Sequence, residues 1–168
     1  MTETPASLTS TQLGAYFAFT EVSSLLRHAV EKQLRDVGDL SYVQFQLLAR
    51  LGDSPHGQQR MTDLADGVVY SRSGLTYQAQ LLDQRGLVTR APSPDDERST
   101  VISLTEAGRD VLAAVFPGHI EALHSLLFAA LSDSDIDELA RILGAAAAHL
   151  RAIPPRSAAP RRRSRPEA

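Results

Sequence analysis

Five side chains on one short segment carry the most specific chemistry in this sequence. From Arg72 to about Arg85 the spacing predicts a helix with Leu75, Ala79 and Leu82 on one face and Arg72, Ser73, Thr76, Tyr77 and Gln80 on the other. Arginine can pair with the O6 and N7 acceptors of guanine, glutamine can do the same with adenine, and threonine or tyrosine can meet a thymine methyl or a phosphate. Ser71 is placed to cap the free N–H groups at the start of this helix, an end whose partial positive charge suits a phosphate. Taken alone, the same residues also suit the solvated face of a surface helix, and both readings stand at this level.

Other chemistries find less support. The five histidines are His28, His56, His119, His124 and His149, and the closest helical pair, His119 and His124, does not share a face as an i, i+4 pair would. They read as solvated or hydrogen-bonded side chains, and neither a metal nor a cofactor is expected. A Gly-rich phosphate loop, a Gly-x-Ser-x-Gly elbow and an HExxH pair are all missing from the sequence, and Asp95 and Asp96 sit in a polar loop that needs no catalytic explanation. No enzymatic activity is expected.

The elements that position the reading face follow from hydrophobic periodicity. Leu13, Tyr16, Phe17, Val22, Leu25, Leu26, Ala29, Val30, Leu34 and Val37 recur at helical steps from about Thr11 to a stop at Gly38. Ser41 and Gln44 form a capping-box pair for a second helix that buries Phe45, Leu48 and Leu51 and ends at Gly52. The polar run 53–60 reads as a loop. Thr62 is placed to cap a short helix with Leu64, Ala65 and Val68 on one side, followed by a tight turn and the helix from Arg72, which Gly86 closes. Two β-prone runs, 87–90 and 100–104, flank a long charged loop with two prolines, which predicts a hairpin. Thr105 caps the next helix, with a kink or a break into two helices expected at Pro117, and Ser132 with Asp135 opens the last one. The expected fold is mainly α with a small β-hairpin, a winged helix-turn-helix with six helices.

With 168 residues and 43% hydrophobic content, the chain suits one domain with an ordinary core. It has no cysteine, which excludes disulfides, thiolate metal sites and thiol redox sensing. No uninterrupted apolar run approaches the roughly 20 residues of a membrane span and no secretory signal is evident, so a cytoplasmic location without a membrane partner is expected. The net charge is −3, but residues 151–168 hold six arginines against one glutamate and leave the rest of the chain at −8. DNA affinity would therefore have to come from local placement of charge.

Residues 60–116 resemble the MarR family of bacterial regulators. The resemblance lies in a short helix with Leu64-Ala65, a recognition helix opening with Ser71-Arg72-Ser73, the step Gly86-Leu87-Val88 into the wing, the tip Asp96-Glu97-Arg98, and Ser103-Leu104-Thr105 with Gly108 at the start of a long helix. The flanking helices agree in number and order, so it extends over about residues 10–152. Glu97 stands where many members carry a second arginine, which weakens the expected wing contact.

The resemblance implies a sequence-specific regulator, most simply a repressor, bound to double-stranded DNA as a homodimer on a pseudo-palindromic operator. Ser71, Arg72, Ser73, Thr76, Tyr77 and Gln80 would face the major groove. Arg98, steered by Asp96, would enter the minor groove from the wing, with Arg90 and Arg60 near phosphates. Residues 1–10 would be a flexible N-terminus, 11–152 the family-like domain and 153–168 a disordered Arg-rich tail. Within the domain, 39–104 would form the DNA-binding lobe, and 11–38 with 105–152 the dimerisation helices. Leu13, Phe17, Leu139, Leu143, Ala146 and Leu150 would then face a second copy. A small lipophilic or phenolic effector would sit near Tyr16, Arg27, His28 and Phe45. The competing expectation is a protein-interaction dimer of the same fold with little DNA affinity.

Overall fold

The computed structural model describes residues 7–67, 72–94 and 96–152, without the side chains of residues 66, 67, 72 and 96–98. The expected Ser71 cap, the turn before it, the side chains of Arg72, Asp96 and Arg98, and the tail 153–168 lie outside the described residues. The chain divides into two compact units, 1–127 and 128–168.

In the first unit, α1 (Ser10–Gly38) opens with a capping box between Thr9 and Gln12. It stops at Gly38 as the sequence predicts, yet the left-handed residue that ends it is Asp39, at φ 49. Asparagine and aspartate tolerate this conformation better than most residues with a Cβ. The next helix, α2 (Tyr42–Gly52), has the expected box, in which Ser41 Oγ accepts from the Gln44 N–H and Gln44 Oε1 accepts from the Ser41 N–H.

The segment expected to be a loop contains order. A 3-10 turn at Pro55–Gly57 brings His56 and Gly57 into left-handed conformations, and strand β1 (Gln58–Arg60) follows. Helix α3 (Met61–Gly67) starts directly after β1, so Thr62 lies inside the helix instead of capping it. Then come α4 (Arg72–Gln84), β2 (Val88–Ser93), β3 (Asp96–Leu104) and α5 (Glu106–Leu126).

The sheet has three antiparallel strands in the order β1-β3-β2, with Gln59 opposite Ile102 and Arg90 opposite Ile102 on its other side. The hairpin is longer than expected, because Pro92 pairs with Thr100 within it. Since β2 is an edge strand, a proline there costs no ladder bond that a neighbouring strand would accept. A register shift follows between Pro92 and Ser93.

Leu34, Leu40, Leu48, Leu51, Leu64 and Leu75 are fully buried in one core, to which the sheet contributes Val88 and Ile102 and α5 contributes Val115. Thr105 caps α5 by accepting the Gly108 N–H, and its hydroxyl donates to the Gly86 carbonyl at 2.7 Å. Where the sequence allowed a kink or a break at Pro117, α5 is one helix. Gln33 of α1 donates to the Val115 carbonyl just before that proline, at 3.0 Å.

Among the described residues, the stretch beginning with α5 is long and apolar enough to cross a membrane by length and composition alone, with a mean hydropathy of 1.5 over its most apolar 18 residues. Of those 18 residues 11% are buried within the chain. The sequence expectation concerned continuous apolar runs, and here Pro117, His119, Glu121 and His124 interrupt the apolar residues.

The second unit contains a 3-10 turn at Phe128–Ala130 and helix α6 (Asp133–Ala152). Ser132 accepts the Asp135 N–H while the Asp135 carboxylate accepts the Ser132 N–H, as the sequence predicts. Hydrogen bonds from the Ser132 hydroxyl and backbone hold the Asp135 carboxyl below the usual range.

Candidate DNA interface

The interface is built on the two-faced character of α4. Leu75, Ala79 and Leu82 lie within the core at 1% exposure or less. Ser73, Thr76, Tyr77 and Gln80 are exposed on the other side, Tyr77 at 59%. The helix ends in a pair of reversed bonds, Gly86 N–H to the Asp83 carbonyl and Leu87 N–H to the Leu82 carbonyl, with Gly86 at φ 71. This C-cap motif leads the chain straight into β2. A rigid apolar back thus presents hydroxyl, phenol and amide groups on one side, the arrangement that reading base edges in a groove requires.

The remaining expected contacts are placed less uniformly. Arg60 is exposed at the end of β1, whereas Arg90 is half-buried in β2, and its Nε is inaccessible and without a partner among the described residues. Asp96 and Arg98 lie in β3 by their backbone. Sequence reasoning missed Gln78, which accepts a hydrogen bond from Gln44 at 3.0 Å, and Arg85, which bonds the backbone of residues 38 and 39. No local signal marks either pairing, since the partners lie 34 to 47 residues apart.

A cavity of about 330 Å³ lies between α1, α2 and α5, lined by Leu26, Arg27, Val30, Tyr42, His119 and Leu123 together with Ser23. The Arg27 guanidinium lies 5.2 Å from the Tyr42 ring centre, within the range of a cation–π contact. Of the four residues expected near an effector, Arg27 lines this cavity, and Phe45 does not line it but lies 4.5 Å, ring centre to ring centre, from His119, which does. Tyr16 and His28 are exposed on α1 and do not line it.

His119 Nδ1 is buried with no partner among the described residues, and burial lowers the His119 pKa below the ordinary 6.5. A depressed folded-state pKa means that the unfolded chain takes up the proton more readily. Stability is therefore complete above the ordinary value and is lost as pH falls through the folded one. Urea midpoints are expected to fall on acidification from about pH 7 to about pH 5, and to fall less in His119→Gln. Identical pH profiles for the two proteins would show that another group is responsible.

Helices α1, α5 and α6 each carry exposed apolar side chains. On α1, Leu13 is 42% and Phe17 59% exposed, and on α5 Ile120 is 50% exposed. On α6, Leu139 is half-buried while Leu143, Ala146 and Leu150 are exposed. No group of three or more His, Cys, Asp or Glu placed to hold a metal occurs among the described residues.

A family model for the MarR family matches residues 38–99. A MarR family transcriptional regulator from Streptomyces coelicolor, crystallised in complex with DNA, superimposes with a TM-score of 0.83 at 30% identity, over 89% of this chain and 93% of the other. AbsC, a MarR family transcriptional regulator from the same organism, superimposes with a TM-score of 0.82 at 31% identity, over 88% of this chain and 99% of the other. The transcriptional repressor MprA of Escherichia coli strain K12 is 32% identical over 98 residues, which are 58% of this chain and 55% of that protein. The chain spans little more than half the length of the curated relatives it first matches.

Proposed function

The chain belongs to the MarR family of winged helix-turn-helix transcriptional regulators, and from that premise we propose that it is a homodimeric repressor of a pseudo-palindromic operator. MarR regulators bind DNA and are not enzymes. The observation that carries the reading is the exposed row Ser73, Thr76, Tyr77 and Gln80, backed by fully buried Leu75, Ala79 and Leu82. Ser71 and Arg72 would extend that row at the N-terminal end of α4. Asp96 and Arg98 would place a cation in the minor groove, and Arg60 and Arg90 would lie near phosphates. Such a protein works where the chromosome is, in the cytoplasm.

Control by an effector is the second half of the proposal. The cavity between α1, α2 and α5 is at the small end of ligand pockets, with Leu26, Val30 and Leu123 beside the Arg27, Tyr42 and His119 side chains. A small lipophilic or phenolic molecule there would release DNA only if it bound more tightly to the arrangement unable to span both half-sites.

The test is selection of genomic fragments by the full chain, followed by binding measured against salt. A repressor should hold its selected duplex at least about 10³-fold more tightly than random DNA. Gln80→Ala should cost about 1–3 kcal/mol per lost base contact and relax preference at one position of each half-site, leaving the salt slope unchanged. Equal, weak affinity for every duplex would instead support the protein-interaction dimer.

A further inference from the structure

The junction between α1 and α2 grips α4 at two points. At the C-terminal end, Arg85 donates from Nη1 to the Asp39 carbonyl at 2.6 Å and from Nη2 to the Gly38 carbonyl at 3.1 Å, with the Asp39 carboxylate 3.7 Å away. Two turns earlier, Gln44 donates to Gln78 at 3.0 Å, and Gln44 is itself buried and held by the Ser41 backbone. Leu40, also fully buried, belongs to the same junction.

The carbonyls of residues 38 and 39 belong to the end of α1, where backbone acceptors lack helical partners and the dipole is negative. Arg85 immediately follows the last residue of α4. One guanidinium therefore serves the negative ends of two helices through charge-assisted bonds. Positions 78 and 85 are seven apart and fall on the same side of α4, so the two ties together restrain rotation where either alone would leave a pivot.

We propose that Arg85 is a positioning residue that transmits the orientation of α1 to α4, and so fixes the separation at which a dimer presents its two reading helices. The inference rests on the dimeric DNA-binding reading above. It assigns to Arg85 no contact with DNA.

The chain has no cysteine, so Asp83→Cys in the full chain gives one spin label per subunit on α4. The inter-subunit distance distribution should be narrow with Arg85 present. It should broaden or shift by several ångströms in Arg85→Ala, and recover partly in Arg85→Lys, which keeps a cation able to reach a carbonyl. On duplexes whose two selected half-sites are separated by stepwise increments, Arg85→Ala should lose roughly 10-fold at the best spacing and less than about threefold on a single half-site, with an unchanged salt slope.

A distance distribution in Arg85→Ala that matches the parent overturns the proposal. So does an equal loss on every duplex accompanied by a shallower salt slope, which would make Arg85 a phosphate contact. Should Arg85→Ala fail to fold, Gln78→Leu removes the other tie and is expected to broaden the same distribution, and an unbroadened one overturns the proposal equally. Because the distances need no DNA, they fail separately from the DNA-binding reading: a protein with narrow distances and no duplex affinity refutes the repressor alone.

Discussion

Leu13→Glu combined with Phe17→Glu yields a folded monomer whose affinity for the full operator falls between about 10² and 10⁴-fold. Both side chains lie one turn apart on α1 and are largely exposed within their own chain, at 42% and 59%. Substitutions at such positions usually change a subunit's stability by no more than about 0.5 kcal/mol. Against a second copy the outcome is different, because two unpaired carboxylates would be buried in an apolar contact. Each lobe would then meet its half-site as a separate binding event, without the gain that linking two modules provides. Sedimentation and anisotropy on one sample check the result. A variant that sediments as a dimer at micromolar concentration, or a monomer with undiminished operator affinity, would remove the dimer from the mechanism.

Gly108→Ala is expected to be the most damaging single-methyl change for stability. A Cβ at this position would come within 2.2 Å of the Leu87 carbonyl oxygen and 2.7 Å of Leu104 Cδ1. The first of these is backbone with little room to yield, because the Leu87 N–H closes α4 and the Leu87 carbonyl accepts the Thr105 N–H at 3.2 Å. Relief requires moving α5 away from the root of the hairpin, at a cost on the order of 3 kcal/mol. Urea denaturation gives the loss directly, and operator binding should weaken with it because the displaced residue ends the reading helix. A midpoint within error of the parent would mean that the close approach is not maintained in solution.

What the sequence disclosed about this fold was what short-range chemistry controls. The capping boxes at Ser41 and Ser132, the Thr105 cap and the Gly86 stop each involve atoms within a few residues of one another, and all four are formed. The two faces of α4 were legible for the same reason, since a 3.6-residue repeat needs no knowledge of the rest of the chain. Strand β1 was not, because Gln58, Gln59 and Arg60 are polar and become a strand through pairing with β3 some 40 residues later. Thr62 has the chemistry of a cap, but the strand starts the helix at Met61, two residues too early for it. The sequence places Pro92 in the loop between the two β-prone runs, and it is instead paired within an edge strand. Around the cavity, sequence pointed to Arg27 but passed over Tyr42 and His119, which only the packing of three helices brings beside it.

The absence of any linker between Arg60 and Met61 has a mechanical meaning. Because β1 is laddered to β3 and passes without a joint into α3, tilting the wing must drag the first helix of the helix-turn-helix along with it. The hairpin and α3 are thus coupled through β1, and a displacement of one is carried to the other.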